Sequence, residues 1–373
     1  MRKKICILTS SRSEYGILKN LISLFKKSKF FKLEIIVTGA HLSKYFGKTI
    51  NEMIDDGISI DHKVYIKINK KDDHQSVINQ SSILVKAISK KLNFIKPDLL
   101  LLLGDRFEVF LTTYAAFLMN IPVVHIHGGE ITRGSIDNAF RFSISKMSNL
   151  HLVATKKSKK KLIQYDIEKK NIFHVGSPSV SNLNDINFYS KIELEKILKF
   201  KFKKKNILVT LHPTTKENID YREQINSLLK SLSKFNHLGM IFSKPNNDIG
   251  HKYFIEKIKI FTKKNPNSVF ISSLGRNIYF SCLKTVDIVI GNSSSGIIEA
   301  PSLGCRTLNI GKRQFGREQS ESIVNTTYNT KEISQKLKKI INKKHYKSYF
   351  NPYYKKNTNL KIVSLLKNYF KVR

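Results

Sequence analysis

Three acidic residues, Asp105, Glu130 and Asp137, and three arginines, Arg12, Arg106 and Arg313, stand in short polar clusters after apolar runs. Carboxylates can trade a proton with carbon or water, and forked guanidinium groups hold phosphate oxygens. Together they are the parts for acid–base chemistry on a phosphorylated small molecule. The stretch GNSSSG, 291–296, adds three serines between two glycines at a strand-to-helix corner. Backbone N–H groups at such a corner point outward at the positive end of a helix dipole, and glycine lets an anion approach. That reads as a phosphate seat. Each feature also has a plain structural reading: Ser and Gly are ordinary turn and cap residues, Asp105 beside Arg106 can be an ion pair, His212 a core histidine and Arg12 a helix contact.

The elements that must position these groups alternate between strand-like and helix-like runs. KKICILT (3–9), KLEIIVTG (32–39), PDLLLLLG (97–104), IPVVHIHG (121–128) and LHLVAT (150–155) read as strands. Helical patterns occupy 14–28, 76–95, 108–120 and 137–148 between them. A second series holds strands at 206–212, 237–244, 268–273, 287–291 and 306–311, with helices at 220–235, 250–264 and 277–285. Apolar strands separated by helices predict parallel, doubly wound sheets. The expected fold is therefore α/β, with two Rossmann-like domains facing a central cleft: 1–180, joined by a C-terminal helix at 355–373, and 200–354. VGSPSVSNLNDINFYSK (175–191), rich in Ser, Asn and Pro, suits a linker.

In such folds ligands bind beyond the carboxyl ends of the strands. SSRSEYG (10–16), GDRFE (104–108), HIHGGE (125–130), HPTT (212–215), KPNNDIG (244–250), GNSSSG (291–296) and GKRQFGR (311–317) all fall there. Seven clusters on one edge predict a shared active cleft.

Composition removes several function classes. The 373 residues carry 66 Lys and Arg against 28 Asp and Glu, a formal charge of +38 at pH 7. The lysines are spread over helix-like segments such as 156–170 and 331–350, on polar faces between apolar residues, and no zinc-finger, basic-zipper or RNP signature accompanies them. Solvated surface is the expectation, with neither nucleic acid nor membrane as partner. The positive field would still draw a phosphate ester. Cys6, Cys282 and Cys305 are isolated, as buried thiols in a reducing compartment are. The first apolar run stops at Leu8, too short for a signal peptide, and no segment is long enough to cross a bilayer, so a soluble cytoplasmic protein is expected.

In this order, SRSEYG, GDRFE, HIHGGE, HPTT, GNSSSG and KRQFGR resemble the UDP-N-acetylglucosamine 2-epimerase family from residue 5 to about 320, most of all its hydrolysing branch from bacterial sialic-acid pathways. The resemblance implies a GT-B-like pair of domains, UDP held mainly by the C-terminal one and the sugar facing the N-terminal one. It places Ser293, Ser294 and Glu299 at the diphosphate and ribose, Arg313 in a uridine-side loop, and Asn246, Asp248 and Lys252 near the nucleotide. Arg12, Arg106 and His212 would surround the diphosphate and anomeric oxygen, and Asp105, Glu130 and Asp137 match carboxylates of the chemistry. One departure stands out: the HxE of the non-hydrolysing branch reads His125-Ile126-His127 here.

The implied reaction removes the C2 proton while UDP leaves C1, then adds water to the glycal and a proton to the opposite face of C2. It needs no nicotinamide or metal; GxGxxG is missing from the first turn and no zinc spacing is present. A homodimer or homotetramer also follows from the resemblance. Three other readings remain open at this point: the same chemistry on UDP-2,4-diacetamido-2,4,6-trideoxyglucose in legionaminic-acid synthesis, a GT-B-type glycosyltransferase, and an RNA-binding protein using its lysines, with strongly salt-dependent binding.

Overall fold

A computed structural model of the chain describes residues 2–43, 47–66, 74–132, 137–214, 217–246, 249–343 and 346–372. They form two compact units: Met1–Glu130 with Asp137–Asn182 and Tyr353–Arg373, and Leu183–Pro352 with Ile131–Ile136.

The first unit holds seven strands: β1 (Lys3–Thr9), β2 (Phe31–Val37), β3 (His62–Lys63), β4 (Leu99–Leu103), β5 (Val123–Ile126), β6 (Leu150–Val153) and β7 (Ile172–His174). Their order is β3-β2-β1-β4-β5-β6-β7, every pair parallel. β4 shows why the sequence predicts this: all five residues are leucine and all are buried, as a central parallel strand covered on both faces demands. The order reverses between β1 and β4, and at their carboxyl ends lie Ser10–Glu14 and Asp105–Glu108. This switch point is where an open α/β sheet leaves a crevice. One core cluster joins Ile5, Ile7 and Leu101 to Leu18, Phe25 and, from the helix Thr358–Val372, Ile362 and Leu366.

The second unit holds β8 (Asn206–Thr210), β9 (Gly239–Ser243), β10 (Ser268–Ile271), β11 (Ile288–Gly291), β12 (Arg306–Ile310) and β13 (Ile323–Thr326), parallel in the order β10-β9-β8-β11-β12-β13. Its switch point falls between β8 and β11, so the loops 211–214 and 292–294 are neighbours. Both sheets are the expected doubly wound kind.

Several local expectations change. β3, β7 and β13 were not foreseen; they have two to four residues at sheet margins, are only partly buried and lack an unbroken apolar run. The segment 175–191 is packed rather than loose. Pro178–Ser181 forms a helical turn, Val180 and Leu183 are buried, and the Asn182 side chain donates to Ile17 O at 2.9 Å. The lysine-rich helices are shorter than their composition suggested: one spans Lys156–Gln164, with Asp166 at φ 57°, and the other Thr330–Ile341. The helix after the serine corner covers only Ser295–Ile298 before a 3₁₀ turn, Ala300–Leu303, that contains Pro301. Proline cannot donate the next helical bond, so little macrodipole accumulates there. The corner therefore presents N–H groups and hydroxyls rather than the end of a long helix dipole. No helix among the described residues is long and apolar enough to cross a membrane.

Candidate active site

In the first unit the carboxylates meet around an arginine that the sequence reading passed over. Arg141, from the helix Asp137–Met147, is 2% exposed. Its Nη2 donates to Asp105 Oδ2, and its Nη1 donates to Glu130 O at 3.0 Å and lies 3.8 Å from Glu130 Oε2. One buried guanidinium thus ties the β4 loop to the β5 loop and holds two candidate acid–base groups in one place. A signal existed: Arg141 sits three and four residues before Ile144 and Ser145, on the buried face of its own helix.

The β5 loop is built to keep this arrangement. His125 is fully buried; its Nε2 donates to Gly104 O at 2.7 Å, its Nδ1 accepts from Ser145 Oγ at 3.0 Å, and burial pushes its pKa down to about 3. A neutral ring therefore staples β5 to the turn before Asp105. Gly129, at φ 75°, would place a Cβ 2.4 Å from Ser158 O, so only glycine fits. His127 Nδ1 donates to Glu130 Oε1 at 2.5 Å.

Arg106 precedes the helix Phe107–Leu118 and stays 44% exposed at its side chain. It is bound by Glu108 at 3.1 and 3.2 Å and lies 3.6 Å from Glu14. Asp137 opens its helix, and its charge also reaches Arg106. Glu14 accepts from Ser10 N at 2.6 Å, and burial raises its pKa to about 7 despite Arg106. Arg12, at the start of the helix Arg12–Lys27, pairs with Glu52 at 2.8 Å across a half-exposed contact. Such half-exposed pairs are worth little to stability.

The second unit assembles its cluster around Asn292, which has no exposed surface. Its Oδ1 accepts from His212 N and its Nδ2 donates to His212 O, both at 2.8 Å. Its own carbonyl accepts from Arg313 Nη1 at 3.1 Å and Gln314 Nε2 at 2.8 Å. His212, Arg313 and the serine corner are thereby locked to one side chain. Gly291, at φ 139°, would put a Cβ 2.0 Å from Thr210 O, which brings β11 close enough to β8 for these bonds.

His212 Nδ1 accepts from Asn246 N at 3.0 Å, so the ring's hydrogen sits on Nε2. Burial, with Arg313 adding to it, lowers its pKa to about 3. A neutral donor results, suited to a phosphate or leaving oxygen. Ser293 and Ser295 hydroxyls lie 3.0 Å apart, Ser294 precedes the short helix, and Glu299 is buried at its far end. Lys252 is exposed on the helix His251–Lys264, and among the described residues it makes no polar contact with His212, Ser293 or Arg313. Asp248 lies outside the described residues.

One strand-edge cluster gathers paired carboxylates around a buried arginine and the other joins a neutral histidine, an arginine and a serine turn, residue types suited to acid–base chemistry and to holding phosphate. The family model described as UDP-N-acetylglucosamine 2-epimerase matches residues 24–367. The chain belongs to that family. It is 37% identical over 343 residues, 92% of this chain and 88% of the other, to a GDP/UDP-N,N'-diacetylbacillosamine 2-epimerase (hydrolyzing) of Campylobacter jejuni. It is 34% identical over 374 residues, 99% and 95%, to the polysialic acid biosynthesis protein P7 of Escherichia coli. The fold matches a crystal structure of UDP-GlcNAc 2-epimerase from Neisseria meningitidis bound to UDP-GlcNAc, with a TM-score of 0.81, 20% identity and coverage of 98% of this chain and 100% of that one. Within the family it is a hydrolysing nucleotide-sugar 2-epimerase with a GT-B-like fold.

Proposed function

We propose that the enzyme converts UDP-N-acetylglucosamine and water to N-acetylmannosamine and UDP, for sialic-acid-type sugar synthesis. The observation that carries this reading is the joining of Asp105 and Glu130 by buried Arg141. Two carboxylates held together can share the removal and return of a proton at C2 while a leaving group departs from C1. Asp105 and Glu130 perform that transfer and Asp137 positions water. Arg12, Arg106, Arg313, Ser293, Ser294 and the Nε2–H of His212 bind the diphosphate, whose charge grows as the C1–O bond breaks. Glu299 holds the ribose, and Asn246, Asp248 and Lys252 lie along the nucleotide. No cofactor takes part. The resemblance also supports a homodimer or homotetramer, which light scattering on the purified protein measures.

A second substrate has a specific observation in its favour, the 37% identity to an enzyme described for N,N'-diacetylbacillosamine. The chemistry at C1 and C2 is the same; the sugars differ at C4 and C6. Incubation with either nucleotide sugar and no acceptor should release UDP and a reducing 2-epimer, and the ratio of kcat/KM values names the substrate. Replacing Asp105 by Asn should abolish turnover while UDP still binds by calorimetry. Wild-type turnover in that variant removes Asp105 from the chemistry.

A further inference from the structure

A buried chain of hydrogen bonds leads from the segment after β7 to Glu130. Ser179 Oγ lies 2.9 Å from Ser177 Oγ, Ser177 Oγ lies 3.1 Å from His127 Nε2, and His127 Nδ1 lies 2.5 Å from Glu130 Oε1. The four residues are between 3% and 6% exposed, except Ser177, which is fully covered. A carboxylate only accepts, so Nδ1 carries the hydrogen; in the neutral ring Nε2 then accepts from the Ser177 hydroxyl. Ser177 is fixed in turn by its own N–H, which donates to Tyr353 O at 2.8 Å.

His127 reaches this position in a conformation side chains rarely adopt, φ 65°, between β5 and two glycines. Packing alone gives no reason to hold an imidazole there, because glycine would relieve the backbone and an apolar residue would fill the space without needing partners. The bonds supply the reason. The bond from His127 holds one carboxylate oxygen of Glu130 at 2.5 Å, and Arg141 lies 3.8 Å from the other.

We infer that His127, braced by Ser177, is a positioning residue that holds the Glu130 carboxylate at one orientation for proton transfer at C2. The inference rests on the role proposed above for Glu130. Carboxylates that exchange a proton with carbon must meet it at short range and in line, and a misplacement of about 1 Å costs about 100-fold in rate.

The test uses four variants of the full chain: Glu130→Gln, His127→Gly, His127→Asn and Ser177→Ala. Asn tolerates positive φ and keeps an amide N–H near the place of Nδ1. Steady-state kinetics and UDP affinity are read for each. Expected are a fall in kcat of about 100-fold for His127→Gly with KM and UDP affinity unchanged, recovery of about 10-fold of that loss in His127→Asn, and a smaller fall in kcat for Ser177→Ala. Wild-type kcat in His127→Gly while Glu130→Gln is inactive overturns the inference alone. Full activity in Glu130→Gln overturns the role of Glu130 and the inference with it. A lowered melting temperature or a raised KM at wild-type kcat makes His127 structural and overturns it too. Should His127→Gly fail to fold, Ser177→Ala, which leaves the ring in place, decides by the same split between kcat and KM.

Discussion

Replacing Glu14 by glutamine removes a pH dependence that this buried carboxyl imposes on folding. Its pKa stands at about 7 against a usual 4.5, with burial the main cause and the attraction of Arg106 only partly offsetting it. A raised folded-state value means that the native chain binds the proton more tightly than the unfolded chain. Its contribution is fully present below pH 4.5 and is lost as pH rises through 7. At ~1.36 kcal/mol per pH unit the complete loss is about 3 kcal/mol, and about 2 kcal/mol of it falls between pH 5 and pH 7.5. Glutamine keeps the shape and does not titrate. Urea unfolding of wild type and Glu14→Gln at the two pH values should show the difference in stability moving by about 2 kcal/mol in favour of the variant as pH rises. A difference that stays constant, or moves the other way, would show that Glu14 is ionised throughout and that the Ser10 and Arg106 contacts outweigh its burial.

Arg141→Met should destabilise the protein by about 3 kcal/mol in urea, because it leaves buried Glu130 and part-buried Asp105 without their cation; adding Asp105→Asn should restore part of that loss. Asn292→Ala, which unties His212 from the serine corner and the Arg313 loop, should cost about 2–4 kcal/mol by leaving buried backbone groups unpaired. It should also weaken UDP binding in calorimetry, and unchanged affinity would mean that these loops do not seat the nucleotide.

What could be read from the sequence was set by local patterning. β4 is five consecutive leucines, and the acidic and serine clusters follow such runs directly, so the parallel sheets and the placement of Asp105, Glu130, His212 and Ser293 at strand ends were legible. Contacts between distant segments were not. Arg141 meets Asp105 across 36 residues, and its side chain looks from sequence like one more cation in a chain of 66. Asn292 was visible in its motif, but only the fold reveals that its side chain faces the His212 backbone 80 residues away. His127 was noticed as a departure at one position, whereas its bond to Ser177 depends on a segment whose composition pointed to a linker. β3 and β13 escaped for another reason: marginal strands need only one well-packed neighbour and so carry little apolar signal.

Reaction with UDP-N-acetylglucosamine in deuterated water, followed by proton NMR, tests the central claim most directly. The account predicts free UDP together with N-acetylmannosamine whose C2 proton has been replaced by deuterium. A product that keeps its original hydrogen at C2, or a 2-epimer still attached to UDP, would contradict it.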